Sequence, residues 1–233
     1  MNEVALARRL GFFGKLPARG DFVTRRLTRD FTDPWDAWLQ DAIAISAQQL
    51  GADWLDTYLT APIWRFLLSP GICGQGPMLG IMMPSVDRVG RYFPLTLAVT
   101  LADCAAPAKA MLTAGAWFDE VEQLALSALE DDADLDRIDQ QAEAIVPPSA
   151  DREATSYRTE RAVSVELGDG GVDAAAGAID SVLGLLASRY TLWWTSGSDR
   201  CKPSLVFAES LPSVERFAAL LDGKWEQWGW KTR

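Results

Sequence analysis

The chain has 233 residues, 48% of them hydrophobic, and a formal net charge of −10. It is long enough to bury a full core and too apolar for a disordered chain, and its negative field repels phosphate, against general nucleic-acid binding. There is no histidine, which excludes Ser-His-Asp and Cys-His catalysis and any His-ligated zinc site.

In chain order, a first strand is expected over Leu10–Phe13, followed by a loop, GKLPARGD. Asp33 reads as an N-cap with Pro34 at the first helical position. Trp35, Trp38, Leu39, Ala42, Ile43 and Leu50 then form one helical stripe that Gly51 ends. A short amphipathic turn covers Asp53–Leu59. Three strands follow, Ile63–Ser69, Met78–Met83 and Phe93–Leu101, the second apolar on both faces as in a covered sheet. Their Gly- and Pro-rich connections suit antiparallel hairpins and are too short for helical crossovers. One long helix is expected over Ala108–Leu129, with Met111, Leu112, Phe118, Val121, Ala125 and Leu129 inward. Gly115 weakens it and Glu122 projects into its apolar stripe. An acidic helix, Leu135–Ala144, leads into a polar linker over 146–161. Beyond it come a strand at Ala162–Leu167, a helix at about Asp173–Ser188, strands at Tyr190–Thr195 and Ser204–Ala208, and a helix at Ser213–Leu221 capped by Gly223. The sum is an α/β (α+β) fold: a mixed, largely antiparallel central sheet covered by helices on both faces, in three αβα layers. A single domain over 1–233 is expected, with a division into lobes 1–145 and 146–233 as the fallback.

Cys73, Cys104 and Cys201 are far apart, and read as thiols in a reduced compartment, not as a disulfide framework or metal site. The N-terminal stretch has Glu3, Arg8 and Arg9 and no apolar run of signal-peptide length, and no apolar stretch is long enough to cross a bilayer. A cytoplasmic location without cofactor or metal is expected. Residues 1–29 carry seven basic residues against Glu3 and Asp21, whereas 119–139 hold nine acids against Arg137. This polarity fits oriented docking to a partner, or a solvated acidic helix face.

Four places invite chemistry. Gly11–Pro17 superficially resembles a phosphate loop, but it has two residues between its glycines and Leu16 after its lysine, where the motif needs four and a Ser or Thr. Arg19-Gly20-Asp21 reads as a tight turn. In Pro84–Pro94, Ser85 and Asp87 leave a buried strand, a common place for function. No histidine or nearby lysine is offered to activate Ser85, and Arg88 and Arg91 are expected to pair with Asp87 and Asp21, tying two loops together or forming a partner surface. Adjacent Trp193 and Trp194 must point to opposite sheet faces, and Arg65, alternating with Ile63 and Leu67, needs a carboxylate if buried. The acidic run 130–136 lacks the central glycine and closing glutamate of a calcium loop.

The segments GFFGKLPARGDFV, WDAWLQ, Trp64-Arg65-Phe66, MPSVDRVGRYFPLTL and LWWTSG resemble, in the same order, the TagF/ImpM proteins of bacterial type VI secretion. The resemblance is densest over 11–101 and weak over 105–165. It implies a longin-like or αβα fold and a non-catalytic, post-translational repressor of secretion-system assembly. Such a repressor acts through the forkhead-associated scaffold protein beside a threonine kinase/phosphatase pathway; some relatives are fused to the phosphatase. It supplies no catalytic residues. The partner-binding set read from the chain is Lys15, Arg19, Asp21, Ser85, Asp87, Arg88 and Arg91. The alternative is a small-molecule or nucleotide-binding enzyme with a Ser/Asp/Arg site.

Overall fold

A computed structural model describes residues 9–101, 104, 106–149, 156–158, 163–165 and 171–231. Its centre is a seven-stranded sheet built from β1 (Gly11–Gly14), β2 (Val23–Arg25), β3 (Trp64–Leu68), β4 (Met78–Met83), β5 (Leu95–Thr100), β8 (Thr191–Thr195) and β9 (Ser204–Ala208). The order is β2-β1-β5-β4-β3-β8-β9, and every pairing is antiparallel. Strands from both sides of residue 146 share this sheet. The short connections between β3, β4 and β5 do form a meander.

β3 and β4 are buried at every position because both faces are covered. On one face Phe66, Leu68, Met82 and Trp193 pack under α1 (Arg29–Leu50), α2 (Trp54–Leu59) and α7 (Ala218–Asp222). On the other, Leu67, Leu79, Ile81 and Val99 pack under α3 (Pro107–Thr113), α4 (Gly115–Ser127), α5 (Leu135–Ala144) and α6 (Gly171–Leu186). Trp193 joins the first core and Trp194 the second, so the adjacent tryptophans split between faces as the strand period requires. The first core is aromatic: Trp35, fully buried, stacks on Phe31, lies 7° from parallel with Trp193, and donates its indole N–H to Thr96 Oγ1 at 2.9 Å. Each such buried ring contributes roughly 2–3 kcal/mol.

Several expectations shift. α1 starts at Arg29, one turn before Asp33, and Pro34 lies inside it, because Phe31, 1% exposed, brings that extra turn onto the core. The helix expected over 108–129 breaks at Ala114 into α3, which packs on α6, and α4, which packs on β4 and β5. Leu112, expected inward, is half exposed. β2 was not expected. In the expected linker, Ser156–Arg158 (β6) pairs with Val163–Val165 (β7) as a separate ribbon. The strand expected at Ala162–Leu167 therefore lies outside the main sheet, and its remaining residues lie outside the described ones. Among the described residues no helix is long and apolar enough to cross a membrane.

Candidate functional site

The predicted site residues lie on two loops at one end of the sheet, one joining β1 to β2 and the other joining β4 to β5. β1 ends at Gly14, with φ 139°, where a Cβ would stand 2.2 Å from the Pro94 carbonyl oxygen. Only glycine lets the two loops run this close. Lys15 follows directly, so its main chain meets Ser85: the Ser85 hydroxyl donates to the Lys15 carbonyl at 2.6 Å. From behind, the Tyr58 hydroxyl on α2 donates to the Ser85 carbonyl (2.9 Å) and accepts from its amide (3.0 Å).

Asp87 is the pivot. Its carboxylate receives Lys15 Nζ at 3.0 Å, Arg91 Nε at 2.6 Å, and the amides of Val89 and Arg91 at 3.0 and 2.9 Å. Burial opposes its ionisation. The Arg91 amide, the Lys15 and Arg91 cations and the Val89 amide outweigh that and hold the carboxyl well below the usual range. Arg91 also donates to the Gly20 carbonyl and lies 3.6 Å from Asp21, while the Arg88 amide donates to the Arg19 carbonyl at 2.8 Å.

The expectation that arginines tie the two loops is met by Arg91 through both Asp87 and Asp21. Arg88 departs from it: only its main chain joins the tie, and its side chain makes no ion pair among the described residues. Lys15, Ser85 and Asp87 are 6%, 3% and 3% exposed, so these three of the seven predicted partner-binding residues face inward and shape the loops. Arg19, Asp21, Arg88 and Arg91 face outward. Next to Asp21 and Arg88 in the chain stand two exposed apolar residues that sequence reasoning missed, Phe22 and Val89 (46% and 66% exposed). Phe22 is held at the surface by Phe13 and Phe93, its ring 5.7 and 4.8 Å from theirs. The signal for it was available: two phenylalanines flank a glycine-rich turn whose partner loop carries a third. Chemically the site is a rigid knot with a cationic and apolar rim, suited to docking.

The other two puzzles resolve within the fold. Arg65 on β3 meets Glu122 Oε1 at 2.5 Å and Asp119 Oδ1 at 2.9 Å, between the rings of Trp194 and Phe118. The glutamate that spoiled the apolar stripe of α4 is thus its partner. The basic N-terminal segment and the acidic helices also meet: Arg9 pairs with Glu143, and Arg26, with φ 57°, pairs with Asp139 at 2.5 Å.

A three-layer antiparallel sandwich with two loops tied together at one end of its sheet defines the class, and comparison with known proteins supplies the family. The model of the TagF N-terminal domain, described as type VI secretion system-associated, matches residues 11–145. The chain belongs to this family. A crystal structure of PA0076 from Pseudomonas aeruginosa PAO1 is similar at 36% identity, with a TM-score of 0.78, over 92% of this chain and 94% of that one. No curated protein matches.

Proposed function

We propose that this protein is a non-catalytic regulator that restrains assembly of the type VI secretion system. It acts by binding a cytosolic scaffold, the forkhead-associated protein, through the rim formed by Arg19, Phe22, Arg88, Val89 and Arg91. The observation that carries this reading is the division of labour in the two loops. Lys15, Ser85 and Asp87, the polar groups that an enzyme would use, are buried in mutual contacts, whereas three arginines, Asp21 and two apolar side chains stand outward. Ser85 in particular donates its proton to a main-chain carbonyl, which supports a structural role over a nucleophilic one. Membership of a secretion-associated family supports the pathway. A rim of exposed arginines around a phenylalanine is the composition of an interface hot spot.

The test is binding of purified forkhead-associated protein to the wild type and to Arg88→Glu/Val89→Asp. Both side chains are exposed, so the variant keeps its circular dichroism and its Tm, and its affinity falls by about tenfold or more. Unchanged affinity in the folded variant rules this rim out. Arg91→Glu is a poor substitute, because it also unties Asp87. In cells, deletion of the gene raises secretion if the protein is a repressor.

A further inference from the structure

The sheet ends at β9, and among the described residues no strand pairs with its outer side. An edge strand presents alternate unpaired N–H and C=O groups, a ready template for another extended chain. Here a groove of about 390 Å³ runs beside the edge, walled on its far side by the C-terminal aromatic tail, including Trp225 and Trp230. The wall is fixed: Trp225 packs edge-on against both Trp64 and Trp230, and the Trp230 amide donates to the Trp225 carbonyl at 3.0 Å. Leu205, the second residue of β9, is 63% exposed.

We infer that this groove takes an extended, acidic segment of a partner protein, added as an eighth strand with apolar side chains at alternate positions. Pro203 has no N–H to donate, which limits the pairing edge to the short run that follows it. Charge selects an acidic occupant. Lys202 and Lys224, both exposed, lie two residues before Ser204 and one before Trp225 in the chain, and the Gly223–Cys201 approach, 2.9 Å from a Cβ on Gly223 to Cys201 Cα, draws these two stretches together. Lys231 lines the groove together with Glu226. Lys202, Lys224 and Lys231 make no ion pair among the described residues, and they cluster here in a chain of net charge −10. The surface is separate from the Arg19–Arg91 rim and stands or falls independently of it.

The test pans a displayed library of random twelve-residue peptides against the full chain. It then measures recovered peptides by fluorescence anisotropy and hydrogen exchange. Peptides with acidic and apolar residues in alternation are expected. They should slow exchange at alternate amides of Ser204–Ala208, and bind about tenfold or more weakly to Leu205→Ser and to Lys202→Glu/Lys224→Glu, with Arg88→Glu unchanged. Leu205 is exposed, so Leu205→Ser keeps the fold. The inference is overturned if no peptide is enriched, if the recovered peptides are basic or bind the groove variants equally well, or if protection appears elsewhere. It is also overturned if sedimentation shows a dimer that Leu205→Ser dissociates, since a second copy then covers the edge.

Discussion

Arg65 sits at the centre of the sheet, 5% exposed, in a strand that is otherwise apolar. Its charge is tolerable because α4 lays two carboxylates on it, and one of these, Asp119, is well exposed. The asymmetry makes a prediction. Arg65→Met releases two carboxylates that turn to water, whereas Asp119→Ala/Glu122→Ala strands a buried guanidinium. The double variant is expected to lose about 3–5 kcal/mol and Arg65→Met clearly less; urea unfolding of the two decides it, and the reverse order would refute the account. Asp87 makes a second. Its folded carboxyl ionises below the unfolded value of about 3.9, so its stabilisation is fully present above about pH 4 and is lost as pH falls through the folded value. Asp87→Asn is expected to be less stable than wild type at pH 7 and to show a shallower loss below pH 4. Urea midpoints from neutral to acid pH measure both, and parallel curves would show that Asp87 is not the pivot. The thiols make a third. Burial pushes Cys73 up to about 12 and raises Cys201, whereas Cys104 is partly exposed. Thiol titration at pH 8 is expected to find Cys104 reacting first and all three only after unfolding; rapid native labelling of Cys73 would contradict its burial.

At the scale of elements, Gly14 decides whether the two loops can meet. Gly14→Ala places a methyl group on the Pro94 carbonyl and a side chain at φ 139°. It is expected to lower Tm by more than about 5 °C and to free Lys15 from Asp87, seen as faster amide exchange across 84–94. Much of the fold was legible in the sequence because its signals are local. The three-strand meander followed from connection lengths and the two covered faces from Trp193 and Trp194, and the acidic helix expected over Leu135–Ala144 is α5. What failed depended on distant partners. The start of α1 moved because Phe31 finds a place under Trp35. The 108–129 helix broke because its halves pack on different elements. β2 is three residues long and exists only as a partner of β1. In the site, the Asp87–Asp21–Arg91 tie could be read from charge and spacing. That Lys15 and Ser85 turn inward could not, since burial is decided by the loop across the gap.

For the whole molecule, the charge division seen along the chain is partly closed by folding. Arg26 and Arg9 dock the first strands onto α5, so the acidic helices partner the basic segment as well as solvent. The sheet shows a similar dependence across the chain. β3 has β4 on one side and β8 on the other, and Trp35 and Trp38 rest on Trp193. A fragment of residues 1–145 therefore leaves β3 unpaired on the side that β8 covers, beside an uncovered aromatic face. It is expected to associate or fail to fold, with red-shifted tryptophan emission and a broad sedimentation profile. A monomeric, cooperatively folding fragment would show instead that the first 145 residues form an independent unit.

The nearly parallel rings of Trp35 and Trp193, 5.8 Å apart on a helix and a strand distant in sequence, also have an optical consequence. Chromophores this close share their excitation, so the pair should give a split exciton band in the far-ultraviolet circular dichroism and depolarise emission by energy transfer. Trp225 and Trp230, 5.2 Å apart, couple in the same way, so the part of the band that Trp35→Phe removes is the part that reports the lifting of α1 from the sheet, without any label.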